Sequence, residues 1–478
     1  MSLTLQPATA LLRMLQKREI SIPELAEAHI AQIERLNPAL NAITDFDASR
    51  TRADARRLEA LQDAQARHNP LLGLPITIKS SISVAGMRCE IGSSLNRGHI
   101  PAEDAESVYR LRTAGALILG TTNCPEFLMA YESANTLHGA TANPWDLTRS
   151  PGGSSGGESA AIAAGLSAAG LGSDSGGSVR QPAHFTGICA IKPTAGRIPA
   201  RGHLPPCIGP FSTIGALGPM ARTIGDLKLL FGVLAGHDPV DATSAPKPID
   251  HAMLSHPDLA QLRTTTIGYF EDDGLIPVTP GTRAAIQSAA QALREAGFNV
   301  KPWRPTFLEP ARQLWVKLFV QCGAMFYEPT IRNRRDQLSP IFRDFLLAAE
   351  SLPPLTSIDL LNAWAELDTL RSAALAELSA FAANPLLLCP VASVPAFKHG
   401  ERQWTIDGRT IHYLDETRFT QWFNVLANPA VVLPIGRSPE KLPIGVQLVG
   451  LPHTDEQALA IAEILERSFG FQPPPAAC

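Results

Sequence analysis

The chain has 478 residues, 45% of them hydrophobic and 18% charged, which is enough apolar material for a large core. Its 41 Lys and Arg against 45 Asp and Glu leave a formal charge of −4 and no cationic surplus to neutralise phosphates. Nucleic-acid binding and docking on acidic membranes therefore lack their electrostatic footprint.

Cys89, Cys124, Cys189, Cys207, Cys322, Cys389 and Cys478 are scattered, odd in number and never in CxxC spacing, so reduced thiols are expected in place of a disulfide framework or zinc site. No HExxH-like pattern occurs, and neither a metal nor another cofactor is expected. The N-terminus shows no basic-then-apolar signal pattern, and no run of about 18 apolar residues occurs, so a cytoplasmic protein without membrane spans is the default expectation.

Residues 1–66 read as helices that pack on a core: "TALLRMLQKREI", then "SIPELAEAHIAQIERLN" with a capping box at Ser21 and Glu24, then "SRTRADARRLEALQDAQA". Residues 67–234 alternate strand and helix patterns, with "LPITIKSSISVAG" and "ALILGTTN" as strands around the helical "AESVYRLRTA". Such alternation predicts an α/β fold with helices on both faces of the sheet. Between two glycine-serine loops, "ESAAIAAGLSAAG" reads as a small-residue buried helix. Residues 235–383 read as an inserted, mainly helical region, with a clear helix at "GTRAAIQSAAQALREAGF". Residues 384–478 return to the core with "NPLLLCPVASVPA" and "NPAVVLPIG…LPIGVQLVG" as buried strands, and "QWTIDGRTIHY" as a hairpin turning at Asp407-Gly408.

The glycine-serine loops allow three chemistries. "GGSSG" satisfies the G-x-S-x-G nucleophile elbow at Ser154, but that elbow must follow a strand, and "ANPWDLTRSP" before it is rich in turn formers. A phosphate loop lacks its Gly-Lys-Ser/Thr ending. The third reading makes Ser178 a hydroxyl nucleophile and Ser154 a relay. Lys79, the one cation in an apolar strand, is then the base, because desolvation favours a neutral amine. In that strand, alternation is expected to bury every second side chain. The backbone amides of Ser175, Gly176, Gly177 and Ser178 would form the oxyanion hole. On local sequence alone, a Lys79 that snorkels to the sheet edge, with serines that only cap turns, stands equally open.

The order of "GLPITIK", "SPGGSSGGES", "GLGSDSGGSVRQPAHFTGICAIKPT", "GPMARTIGDL" and "LPIGVQLVG" resembles the amidase signature family, from about residue 5 to residue 470. The resemblance implies a large mixed, twisted β-sheet sandwiched between α-helices and a Ser-cis-Ser-Lys triad. By motif, the nucleophile falls on Ser178, the cis-peptide serine on Ser154 and the base on Lys79. It further implies that Ser155 is a hydrogen-bonding partner of the lysine and that Asp174 and Arg180 support the nucleophile loop. His184, six residues after Ser178, reads as a helix-surface histidine.

Two departures stand out. Ser80 and Ser81 occupy the place where many family members carry an acidic residue after the lysine. Around "FTQWFNVLANPAVVLP" the chain offers Trp422, Phe423 and Leu426 and no acidic residue to hold a glutamine amide.

The expected activity is hydrolysis of linear amides with apolar or aryl acyl groups through a serine acyl-enzyme. Carbamate or ester hydrolysis with the same triad is one alternative, and the amidase subunit of a tRNA-dependent amidotransferase is the other. Leu128, Met129, Trp315, Phe319 and Trp422 are the expected pocket residues. The expected partner is a small-molecule amide, with a homodimer as the oligomeric option.

Overall fold

The computed structural model describes residues 2–61 and 69–475. Fifteen strands are described: β1 (Ile43–Phe46), β2 (Pro75–Lys79), β3 (Leu117–Thr122), β4 (Ala134–Asn135), β5 (Gly139–Ala140), β6 (Ala169–Asp174), β7 (Cys189–Lys192), β8 (Ala216–Ala221), β9 (Thr266–Tyr269), β10 (Asn299–Pro302), β11 (Pro385–Pro390), β12 (Gln403–Ile406), β13 (Arg409–His412), β14 (Ala430–Arg437) and β15 (Pro443–Val449). Eleven of them form one sheet in the order β1-β3-β2-β6-β8-β7-β14-β15-β11-β9-β10. Helices flank it, and its pairing is mixed. Parallel pairs β3-β2-β6 and β11-β9-β10 lie on either side of an antiparallel centre.

Local signals in the sequence place several elements directly. The Ser21 side chain and Glu24 close the capping box that starts helix Ile22–Leu40. Asp407 and Gly408 both take positive φ, 49° and 75°, as the two-residue turn between β12 and β13 requires. The reading "SRTRADARRLEALQDAQA" is observed as helix Ala48–Glu59, and its last residues lie outside the described ones.

Both sheet edges differ from expectation. β1, inside the segment read as wholly helical, pairs antiparallel with β3. Asn37 prepares it: its Oδ1 accepts from the amides of Ala42 and Ile43, both at 2.9 Å, and turns the chain out of the preceding helix. At the far edge, β9 and β10 come from the region read as an insertion and extend the sheet in parallel with β11. These strands have four residues each, too few for a period to emerge against neighbouring helices.

The small-residue stretch also divides. Helix Gly156–Ala163 ends before Gly165 at φ 74°, and β6 begins at Ala169. Burial of β2 departs from alternation as well, because all five residues Pro75–Lys79 are buried. β3 and β6 pair with it on both sides, so it is an inner strand.

One apolar core lies along the sheet, built from residues such as Leu74, Ile76, Leu171, Leu217, Val431 and Leu448. A second, holding Phe127, Met129, Phe211, Trp315, Leu318 and Phe342, gathers the helices of the 308–346 stretch over the segments that follow β3 and β7. Among the described residues no helix is long and apolar enough to cross a membrane, and no group of three or more His, Cys, Asp or Glu has metal-binding geometry.

Candidate active site

The parallel strands β2 and β6 end side by side, and their carboxyl ends carry the polar residues of the site. This is where open α/β sheets commonly place ligands. Lys79 is the last residue of β2 and is fully buried. Its Nζ donates to Ser154 Oγ at 2.6 Å and to Ser173 Oγ at 3.1 Å. Burial brings the Lys79 ammonium down to about 8, opposed by nearby groups that favour the charge, Cys124, Asp174 and Glu158 among them. The edge-snorkelling alternative therefore does not hold.

Ser154 follows a cis peptide bond from Gly153. The Gly153 amide donates to Gln181 Oε1 at 3.0 Å, and Ser133 Oγ accepts from Gly156 N–H at 2.8 Å, which fixes this loop from both sides. Ser155 N–H donates to Ser178 O at 3.0 Å and ties the two glycine-serine loops together. The Ser155 hydroxyl itself bonds the backbone of Ser173 and not the lysine. Lys79's second partner is Ser173. Gly172 makes this possible: a Cβ there would stand 2.6 Å from Ser155 Oγ, so only a bare α-carbon lets the loop descend onto β6.

Beyond Ser173, Asp174 closes β6 and organises the loop that follows. Its carboxylate accepts from Gly177 N–H at 2.8 Å, Val179 N–H at 3.1 Å, Arg180 Nε and Nη2 at 3.0 and 2.8 Å, and Asn424 Nδ2 at 3.1 Å. Burial would raise this carboxyl, but Arg180 and these donors hold it far below the usual carboxylate range. Arg180 is equally buried and reaches on to Thr420 O and Asn424 Oδ1. Asp174 and Arg180 thus form the buried pair under the loop.

The loop's peptide planes are set by their carbonyls. Trp315 Nε1 donates to Ser175 O at 2.9 Å, while Tyr131 Oη and Thr420 Oγ1 donate to Gly176 O at 2.9 and 2.7 Å. In a trans peptide the following N–H points the opposite way. The Gly176 carbonyl is therefore turned toward Tyr131 and Thr420 as Gly177 N–H turns to Asp174, with Gly177 at φ 125°, in the region that favours glycine. This corrects the four-amide oxyanion hole: the Gly177 amide is committed to Asp174.

Ser178 lines a narrow cavity together with Ser154, Ser173 and Ser175. Its apolar wall is Phe127, Leu128, Met129, Phe211 and Phe319. Leu128, Met129 and Phe319 were expected there. Trp315 is not on this wall; it is fully buried, stacked on Phe319 at 4.7 Å, and acts on the loop through its indole N–H. Trp422 belongs to another cluster, with Phe270, Phe419 and Phe423.

Sequence reading missed Ser173, Phe127, Phe211, His203 and Cys207. The His203 ring pairs with Pro205 O at 2.8 Å and Ser81 Oγ at 3.3 Å, and burial lowers it to about 4. His184 is buried and not on a helix surface. Its Nδ1 accepts from Gly445 N–H at 2.7 Å, its Nε2 faces Val394 O at 3.1 Å, and burial lowers it to about 4.

The family model described as Amidase matches residues 24–459. The chain belongs to the amidase signature family. Among curated relatives, a glutamyl-tRNA(Gln) amidotransferase subunit of Roseiflexus castenholzii is 34% identical over 475 residues, covering 95% of this chain and 94% of that protein. Among solved structures, a 6-aminohexanoate cyclic dimer hydrolase complexed with substrate superposes with a TM-score of 0.84 at 28% identity, covering 99% and 100% of the two chains. A chain from a vestigial complex described in connection with the evolutionary origins of an s-triazine catabolic enzyme gives a TM-score of 0.88 at 28% identity, covering 98% and 100%. The 11-stranded mixed sheet flanked by helices is thus the fold of an amidase signature enzyme, an amidohydrolase.

Proposed function

We propose that this amidase signature enzyme cleaves the C–N bond of an amide through an acyl-enzyme on Ser178. The observation that carries the reading is the 2.6 Å contact of a fully buried, easily deprotonated Lys79 with Ser154, which lines the same cavity as Ser178. Neutral Lys79 takes a proton from Ser154 as Ser154 takes one from Ser178, and the freed Oγ attacks the amide carbonyl. The amides of Ser175, Gly176 and Ser178 are the candidate donors to the oxyanion. Its collapse expels the amine, which needs a proton as the C–N bond breaks, and the proton returns from Lys79 through Ser154. Water then attacks the acyl-enzyme with the same residues in the same roles. Asp174, Arg180 and Trp315 hold the loop, and Ser155 joins it to the Ser154 loop.

For the substrate, the cavity wall of Phe127, Leu128, Met129, Phe211 and Phe319 supports an apolar or aryl acyl group, in a linear amide or in a carbamate or ester of the same shape. A second reading, as one component of a glutamyl-tRNA amidotransferase, is favoured by the identity of the curated relatives. The purified chain, given anilides, fatty amides, carbamates, primary amides and glutamine, separates the two. Release of amine from apolar amides by the chain alone supports the hydrolase. Ammonia released from glutamine only, and only with partner proteins added, replaces it with the amidotransferase reading.

A further inference from the structure

Helix Gly156–Ala163 follows directly on Ser154 and Ser155, and its Glu158 side chain is fully buried against β2 and β3. Glu158 Oε2 accepts from Thr122 Oγ1 at 2.8 Å, and Oε1 is hydrogen-bonded to Thr77 Oγ1, which reaches on to Ser167 Oγ at 3.0 Å. Thr77 stands two residues before Lys79 on β2, so both side chains lie on one face of the sheet, and Thr122 is the register partner of Lys79 on β3. A Cβ at Gly170, the partner of Thr77 on β6, would stand 1.7 Å from Glu158 Oε1, so the bare α-carbon makes room for this carboxyl. One side chain thus fastens the helix that begins at the Ser154 loop to the strand that ends in Lys79.

The site holds two fully buried carboxyls in opposite surroundings. Asp174 collects two backbone amides, Arg180 and Asn424, the partners of an anion. Glu158 meets hydroxyls only: among the described residues no backbone amide hydrogen-bonds it and no cation pairs with it. Thr77 has a single hydroxyl proton for two oxygen neighbours, and a protonated Glu158 completes the run by donating to Thr77, which then donates to Ser167. A buried carboxyl without cation or amides keeps its proton in preference to its charge, and burial pushes Glu158 up to about 8.

The titratable groups on the elements packed around this helix are Asp45 on β1, Lys79 on β2, Asp174 on β6, and Arg180 and His184 on helix Arg180–Thr186, while β3 and β8 carry none. Asp45 is paired with Arg88, Asp174 with Arg180, and His184 is bonded to the backbone of Gly445 and Val394. The Cys124 thiol, just beyond β3, is pushed up by burial. Lys79 is the group whose charge acts on Glu158. An anion beside Lys79 would favour the ammonium and withhold the base.

We propose that Glu158 is a positioning residue that works as a neutral carboxylic acid: its hydrogen bonds hold the Ser154 helix to the Lys79 strand, and it adds no charge that would keep the lysine protonated. This rests on the reading of Lys79 and Ser178 given above.

Glu158→Ala and Glu158→Gln test it on an amide that the native chain cleaves. Glu158→Ala removes the hydrogen bonds and is expected to lower kcat by about tenfold or more, with a smaller change in KM. Glutamine offers a donor and an acceptor in the same shape, so Glu158→Gln is expected to recover most of that loss and to keep the acidic limb of kcat/KM at its native position. A limb moved down by about one pH unit or more in Glu158→Gln would show that a carboxylate had been supporting the ammonium, and overturns the neutral acid. A native kcat in Glu158→Ala, or no recovery in Glu158→Gln, overturns the positioning role. Should Glu158→Ala fail to fold, the pH profile of Glu158→Gln decides, together with an infrared difference spectrum between the native chain and Glu158→Gln at neutral pH. That spectrum is expected to hold the carbonyl stretch of a protonated carboxylic acid, and carboxylate bands alone overturn the proposal. It needs no turnover, so a native chain that cleaves no amide would sink the Ser178 reading and leave the spectrum to decide the state of Glu158.

Discussion

Lys79 and Ser154 stand 2.6 Å apart, Nζ to Oγ, at the buried end of an inner strand, and among the described residues no carboxylate hydrogen-bonds the lysine. A lysine so placed meets two hydroxyls and very little water. The desolvation that makes it a usable base also makes its charge a liability to the fold.

Activity rises as Lys79 loses its proton, so kcat/KM is expected to climb through an apparent pKa near 8. Lys79→Ala removes this limb and depresses amide hydrolysis more than hydrolysis of a matched ester, whose alcohol departs with less protonation. Arginine does not rescue, since guanidinium stays protonated. A full pH profile on a paired amide and ester checks this; equal losses with the acidic limb intact would assign the base elsewhere.

The same shift has a consequence for stability. The folded-state value of Lys79 is depressed from 10.5 to about 8, so between those pH values the unfolded chain binds more protons. The stability contributed through this group therefore rises with pH across that window. The melting temperature of Lys79→Met minus that of the native chain is expected to fall steadily from pH 8 to pH 10.5. A constant difference would mean that Lys79 titrates normally.

Much of this arrangement was legible in the sequence, and the parts that were not share a cause. Strands such as β3, β14 and β15 announce themselves as apolar runs between turn formers, and Asp407-Gly408 specifies its own turn. β1, β9 and β10 are too short to do so and are strands because a sheet edge offers them partners. Lys79, Ser154 and Ser178 lie in motifs, whereas Ser173 becomes the lysine's partner only through the register of β2 on β6, which no local pattern encodes. The aromatic residues illustrate the same limit. Helical spacing groups Trp315 with Phe319 but does not say that one holds a carbonyl while the other faces the cavity, nor that Trp422 points into a different core. The Gly177 amide was misassigned because its direction is set by Tyr131, Thr420 and Asp174, which are remote in sequence from one another.

Removing the carboxylate under the loop is expected to be severe. Asp174→Ala leaves Arg180 buried with its charge uncompensated and frees the amides of Gly177 and Val179. Breaking a buried pair in this way costs about 3–5 kcal/mol. Urea unfolding should show that loss, together with loss of activity; a change below about 1 kcal/mol, well under that range, would mean that Arg180 finds other partners.

Trp315→Phe separates packing from hydrogen bonding. The ring can still stack on Phe319, but the bond to Ser175 O is lost and the first peptide plane of the loop is released. The expected effect is a fall in kcat of roughly tenfold or more, with a smaller change in KM, because the loop's amides act on the transition state more than on the bound substrate. An effect confined to KM would place Trp315 with the substrate wall instead.

The central claim, that Ser178 carries the acyl group and Lys79 activates it through Ser154, is tested most directly by locating the covalent adduct. An electrophilic serine probe such as a sulfonyl fluoride, followed by peptide mass spectrometry, is expected to label Ser178 in the native chain, with labelling slowed strongly in Lys79→Ala and abolished in Ser178→Ala. An adduct on Ser154, or labelling of Ser178 at the same rate without Lys79, would contradict the account.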